Sequence, residues 1–482
     1  MLLSLIRRRI ILLKGLAVSA APLLAAGPGV FLAVGAASAS TAAPDAPPEI
    51  TVGVHRPGTA PGLLFVGPQD PMVITARGPL IVDDRGRPVW FRRIPDGYFS
   101  SDFRVQTYRG RQVLTWWEGV QTVPGAGITS GAGYIADSHY RIIAKVPALD
   151  MHEFRLTPRG TALVITYREV PYDLSPVGGA KDGVVFDSIV QEIDVQTGEV
   201  LLRWSSLDHV PLTESQLKPA PGPNPFDYFH VNSIDIDTDG DLLVSSLNTS
   251  TVYKIDRSTG RIVWRLGGRS STFALADGAS FSRQHDARAV GGDTIRLFDN
   301  QGQHGLSRVM WIKLDRKRRL ATLVRQIVHP QPKAAATMGG AAGLPNGNTV
   351  VSWGSAGGFS EFSRTGELLL DATFADGFST YRAYRFPWHG RPLTPPTVSL
   401  TGSTARVVWN GATGVVRWRI LAGPSRTALR PVAHMAWNGF DTAAELPSVA
   451  VSGARFVKAE ALDARGRVIG ASAVTPVRAA GL

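Results

Sequence analysis

A short polar turn recurs along this chain, and no other feature restricts its fold as strongly. It is followed by a β-type run that often ends in Trp: Asp84-Arg85-Gly86-Arg87-Pro88-Val89-Trp90, Gln196-Thr197-Gly198-Glu199-Val200, Arg257-Ser258-Thr259-Gly260-Arg261-Ile262-Val263-Trp264 and Arg364-Thr365-Gly366-Glu367-Leu368. Two degenerate copies, Asp137-Ser138-His139-Tyr140-Arg141 and Asp315-Arg316-Lys317-Arg318-Arg319, fall where the period demands them. A second pattern, Gly followed by a hydrophobic run, is interleaved at Gly110 to Trp117, Gly160 to Tyr167, Gly240 to Ser246, Gly292 to Phe298 and Gly347 to Trp353. Each repeat therefore holds at least two hairpin elements, at a period of roughly 50 to 60 residues that suits a four-stranded sheet repeated radially. The predicted fold is all-β, with a six-bladed β-propeller over residues 60–392. A large sandwich or barrel needs no turn at that period.

The repeat stops at Gly390-Arg391-Pro392-Leu393-Thr394-Pro395-Pro396, a proline-rich linker. Residues 393–482 read as short alternating strands around Trp409 and Trp418, which predicts a small immunoglobulin- or fibronectin-like β-sandwich. At the other end, Arg7-Arg8-Arg9, two apolar stretches and Ala37-Ser38-Ala39 make residues 1–39 a signal peptide, followed by a linker over residues 40–59. The chain is thus expected to be exported, to the extracellular space or the cell envelope, by a general secretory or a twin-arginine route. Left uncleaved, the same segment would be a membrane anchor, although Pro22, Gly27 and Pro28 interrupt its apolar run.

The formal charge is +12, but part of it lies in the leader and the rest is scattered, which argues against a nucleic-acid groove and leaves a mild field favouring small anions. The chain has no cysteine, so disulfides, thiolate metal sites and a thiol nucleophile are excluded. No metal or cofactor is expected.

Chemistry concentrates in two segments. Alternation along a strand puts residues i and i+2 on one face. In Phe229-His230-Val231-Asn232-Ser233 this pairs His230 with Asn232, and in Ser282-Arg283-Gln284-His285-Asp286 it pairs Arg283 with His285. The inner strands of propeller blades converge on a central channel, so the two pairs are expected to meet there. Imidazoles, an amide and a guanidinium together form an electropositive pocket for a tetrahedral oxyanion, with imidazole able to attack sulfur or phosphorus or to shuttle protons. His152, in Asp150-Met151-His152-Glu153-Phe154, is a third candidate.

These runs, with Ile262-Val263-Trp264-Arg265-Leu266-Gly267-Gly268, Leu297-Phe298-Asp299-Asn300, Leu114-Thr115-Trp116-Trp117-Glu118-Gly119 and Tyr381-Arg382-Ala383-Tyr384-Arg385-Phe386-Pro387-Trp388, resemble the arylsulfotransferase family over roughly residues 60 to 392. The resemblance implies a six-bladed propeller that moves a sulfuryl group from a phenolic sulfate donor to a phenol acceptor, without nucleotide, through a sulfated histidine. By motif, His285 would be the nucleophile, and His230, Asn232 and His152 would hold sulfate and phenolic oxygens. One departure stands out: after Leu242-Leu243-Val244-Ser245-Ser246 the family tends to carry an arginine, and this chain has Leu247-Asn248, leaving Arg283 as the available substitute.

Two other readings compete. A non-catalytic extracellular propeller binding a glycan or cell-wall ligand is compatible with the missing arginine. A quinone-dependent dehydrogenase shares the Gly-Trp turns but usually repeats them more strictly, and no paired acidic residues are placed to hold calcium. If the leader reading is right, N-terminal sequencing of secreted material starts at Ser40; a start at Met1 overturns it.

Overall fold

In the computed structural model, the described residues are 46–69, 78–122, 127–301 and 305–478; the leader expected over residues 1–39 lies outside them. The recurring turn explains itself at the level of single side chains. Asp256 accepts hydrogen bonds at Oδ1 from the amides of Ser258 and Thr259, both at 2.9 Å, and Gly260 takes the left-handed conformation (φ +72°) that reverses the chain. Asp83 does the same for Arg85 and Arg87, again at 2.9 Å, with Gly86 at φ +77°. The two degenerate copies keep this geometry without glycine: Tyr140 and Arg319 occupy the left-handed position at φ +64° and +51°.

Between these turns the chain forms almost nothing but antiparallel strands. Six sheets follow one another along the repeats among the described residues, each with one edge strand turned inward against its neighbours. Those inner strands are Phe99–Tyr108, Phe154–Leu156, Val231–Ile236, His285–Ala289, Gly340–Gly343 and Ser379–Phe386. The last of them does not open a new sheet. It pairs with Leu63–Gln69, so that one sheet is built from both ends of the repeat region, with Leu64 opposite Arg385. The early strand Ile50–His55 likewise pairs with the late strand Leu368–Phe374.

Residues 397 onward contribute two further sheets. Leu400 and Val407 from one and Trp418, Ile420 and Val457 from the other share a single apolar core. This part abuts the edge strand Pro88–Phe91: the side-chain amide of Asn410 both accepts from and donates to the Phe91 backbone, at 3.0 and 2.8 Å, and Phe440 N–H donates to Pro88 C=O at 2.7 Å.

Where the inner strands converge, regular pairing breaks. Register shifts fall between Ser101 and Arg104, between Val231 and Ser233, and between His285 and Arg288; Asp102 and Asp286 sit within them at φ +52° and +54°. Such bulges re-aim side chains that would otherwise alternate. Here they bring Asp102 and Asp286 together with Glu153 into a buried cluster with Arg104, Arg288 and Arg382. Arg382 reaches Asp102 (2.9 Å), Asp286 (3.1 Å) and Glu153 (3.3 Å); Arg104 reaches Glu153 (2.7 Å) and Arg288 reaches Glu153 (2.8 Å) and Asp286 (2.7 Å). Burial alone would raise the pKa of the Glu153 carboxyl, but Arg288, Arg382 and Arg104 together hold it below the ordinary carboxylate range. Removing Arg382 takes a cation from all three buried acids at once and leaves negative charge in excess away from water, and breaking buried pairs in this way costs about 3–5 kcal/mol. Arg382→Met is therefore expected to lower the unfolding free energy by that amount in a denaturant titration; a loss below about 1 kcal/mol, the range of surface ion pairs, would show that the cluster does not hold the inner strands.

Candidate active site

Directly above these acids and arginines the ends of the inner strands open into a cavity of about 1060 Å3. His152, His230, Arg283 and His285 all line it. The His152 and His230 rings stand edge to face with centroids 4.8 Å apart, and Tyr381 packs edge-on against both His152 (5.6 Å) and His285 (6.3 Å). Phe99, Met151, Leu174, Leu217, Leu247 and Met338 supply apolar wall, and the proline-rich run from Pro219 to Pro225 forms part of the rim.

Each imidazole has a different support. Asp150 Oδ1 takes the His152 backbone N–H at 3.1 Å and bonds the ring Nδ1, while its Oδ2 accepts from the Thr129 hydroxyl at 2.7 Å and the Thr129 amide at 3.0 Å. His230 precedes its strand in a left-handed conformation, φ +56°, and its Nδ1 meets Asp227 Oδ2 at 2.5 Å. Burial disfavours charge on His230, yet the Asp227 carboxylate more than offsets this, and the pKa is raised above the ordinary histidine value. His285 has no carboxylate on its ring. Its Nδ1 lies 2.8 Å from Asn300 Oδ1, and burial pushes its pKa down to about 3 against that hydrogen bond, with His152 and His230 adding to the depression.

Asn232 sits elsewhere. It is fully buried and absent from the cavity wall, and its Nδ2 donates to Gln284 C=O at 2.7 Å, bracing the residue before His285. The i, i+2 alternation fails here for a physical reason: His230 lies before the strand with positive φ, and the register slips between Val231 and Ser233. Arg283 also lies outside its strand, at φ +54°, yet its side chain still reaches the cavity; burial lowers its pKa, and Asp227 is the carboxylate that opposes this. Glu118, in one of the runs that carry the family resemblance, is buried against Trp116, whose indole N–H donates to it at 3.2 Å.

Sequence reasoning passed over Asp150, Asp227, Asn300 and Tyr381. Asp150 and Asp227 stand two and three residues before the histidines they hold, a spacing that was visible. Asn300 stands 15 residues from His285 and reaches it because Phe298 pairs with His285 across the sheet. Where an arginine was expected, Leu247 and Asn248 both face the cavity; the Leu247 amide donates to His230 C=O at 2.9 Å and the Asn248 side chain donates to Asp227 C=O at 2.6 Å. This segment therefore fixes the Asp227–His230 pair instead of presenting a cation.

A family model described as arylsulfotransferase (ASST) matches residues 104–375, which include all three cavity histidines. The chain belongs to the arylsulfotransferase family. Membership supports a sulfotransferase-like function with phenolic substrates for the chain. No curated protein matches the arylsulfotransferase chain. Among solved structures it is similar to a protein of unknown function from Bacteroides caccae, at 14% identity over 67% of this chain and 98% of that one, with a TM-score of 0.39. It is also similar to a luciferin-regenerating enzyme (11% identity, 71% and 94% of the two chains, TM-score 0.31) and to a β-propeller domain of Cps50 (Swd1) from Myceliophteria thermophila (10%, 66% and 94%, 0.30). None of these is similar enough to bear on the activity.

Proposed function

We propose that this protein is an exported, nucleotide-independent aryl-sulfate sulfotransferase that works through a sulfohistidine on His285. In this reading the six sheets are the blades of a six-bladed propeller, and the two C-terminal sheets form an immunoglobulin- or fibronectin-like module. The observation that carries it is the sorting of the cavity imidazoles: a buried, neutral His285 faces a His230 that an aspartate keeps ready for protonation.

Neutral His285 attacks the sulfur of a phenolic sulfate through Nε2. The S–O bond to the ring breaks, and the phenolate leaves with the electron pair. His230, as imidazolium, gives that oxygen its proton, while Arg283 offers donors to oxygens where charge builds up and the His152 ring shapes the wall beside His230. A phenol then enters, His230 takes its proton, and the phenolic oxygen attacks the same sulfur to release His285. The apolar wall from Phe99 to Met338 suits aromatic rings in both halves of the cycle. Asn232 acts from behind, through the Gln284 carbonyl, and not on substrate oxygens.

His285→Ala is expected to abolish transfer, and incubating the wild type with an aryl sulfate but no acceptor should leave the mass of one SO3 on a peptide containing His285. Arg283→Ala should slow transfer about a hundredfold if it serves as one oxyanion donor. A His285→Ala protein that turned over at the original rate would sink the scheme.

The two histidines also set the pH dependence. Protonating His285 stops attack, but only near pH 3, so the rate of the first half, sulfation of His285, holds through the ordinary histidine midpoint of about 6.5 on the acid side. Deprotonating His230 removes the acid, and because Asp227 raises its pKa, the alkaline loss falls above that ordinary midpoint. A rate of His285 sulfation, followed without acceptor, that halved on acidification from pH 7 to 6 would contradict the assignment of His285.

A further inference from the structure

The three cavity imidazoles are held by two kinds of partner. His152 and His230 each bond a carboxylate through Nδ1, whereas His285 bonds an amide. The orientation of that amide is settled by its other end: Asn300 Nδ2 donates to Ala335 C=O at 3.0 Å and to Met338 C=O at 2.9 Å, so the oxygen must face His285. An acceptor at Nδ1 requires the ring proton there, which leaves Nε2 as a lone pair, and Met338 N–H donates to it at 3.2 Å. One loop, Ala335 to Gly340, thus fixes both sides of the ring. For Nε2 to attack sulfur the Met338 N–H must release that lone pair, whereas the Asn300 bond at Nδ1 can persist throughout.

We propose that Asn300 is a positioning residue that holds His285 as the neutral Nδ1-protonated tautomer, and that an amide, not a carboxylate, is required there for His285 to accept and release a sulfuryl group. The chemistry follows from the proton. When Nε2 of a neutral ring takes SO3, the ring becomes a sulfated imidazolium that still carries its Nδ1 proton, and that positive charge makes nitrogen a good leaving group in the second half of the cycle. A carboxylate at the same distance would act twice against this. It would favour a proton on Nε2 of the free ring, blocking attack, and it would draw the Nδ1 proton from the sulfated ring, leaving a neutral and poorer sulfuryl donor. Asn300 accepts the hydrogen bond without taking the proton.

The charges around the ring are compatible with that role. His152 and His230 face His285 across the cavity, Tyr381 and Arg382 come from the strand Ser379–Phe386, and Arg283 lies two residues earlier. Asp286, next in the chain, is turned away, accepting from Ala341 N–H at 2.9 Å and pairing with Arg288. Asn300 Oδ1 is accordingly the acceptor that meets the His285 ring.

This inference rests on His285 as nucleophile, but its test needs no turnover. In 15N-histidine-labelled protein, with His285→Ala to assign the signal, the ring should show Nδ1–H and a bare Nε2 and should stay neutral down to pH 5. Asn300→Asp should raise the midpoint of His285 by about 1–3 pH units, as an opposite charge at that range does, and should lengthen the lifetime of the sulfated form after donor is removed. An Nε2–H tautomer in the wild type, or an unchanged midpoint in Asn300→Asp, overturns the proposal. Asp cannot donate to Ala335 and Met338 C=O, so if Asn300→Asp fails to fold, the wild-type tautomer and the reciprocal Asp227→Asn decide: the latter must lower the His230 midpoint. A wild-type ring with the stated tautomer but no sulfate capture would fault the proposed reaction and leave the role of Asn300 standing.

Discussion

Everything above the floor of the cavity depends on a balanced set of buried charges. Three arginines and three acids, Arg104, Arg288, Arg382, Asp102, Glu153 and Asp286, meet where the inner strands converge, and each acid touches more than one cation. An apolar plug at that point would pack as well but would impose no orientation. Charges in low dielectric do, because a misplaced carboxylate there has no water to fall back on. Glu153 is the hub. It takes Ile234 N–H at 3.2 Å as well as its arginines, which ties the strand after His152 to the strand after His230. The histidines thus inherit positions from residues that never face the cavity.

The division of labour among the cavity residues rests on neighbours only a few ångströms away. A histidine placed two residues after an aspartate, as His152 is, can close a ring with it locally; His230 closes one over three residues. His285 obtains its partner across the sheet. Local pairing with Asp227 makes His230 a charge-tolerant imidazole, and long-range pairing with Asn300 accompanies a neutral His285, from the same residue type in the same cavity.

These distinctions mark the boundary of what the amino-acid sequence discloses. The polar Gly turns and their period were legible because each turn is local: in the copy from Asp256 to Gly260 the aspartate, the amides it caps and the glycine lie within five residues. His152, His230 and His285 were legible as candidates because each precedes or opens an inner strand. The place of Asn232 was misjudged since alternation presumes a regular strand, and a bulge at Val231–Ser233 is written in no simple pattern. Arg382 and Asp102 looked like ordinary charges in a strand, and only the convergence of strands from distant repeats shows that they are buried against each other. The two degenerate turns, with Tyr140 and Arg319 at the left-handed position, were legible from the period alone, since the geometry persists there without its usual glycine.

The pairing of Ser379–Phe386 with Leu63–Gln69 has a temporal side. The first sheet lacks its inner strand until more than 300 residues of later chain have been made, so its closure is a contact of very high sequence separation and therefore a slow one. That same strand brings Tyr381 to the histidines and Arg382 to the acids. Until it docks, Asp102, Glu153 and Asp286 lack their shared cation and the cavity lacks a wall. A nascent or partly opened chain therefore has no weakened version of this cavity to offer, which is complete only once Ser379–Phe386 has docked.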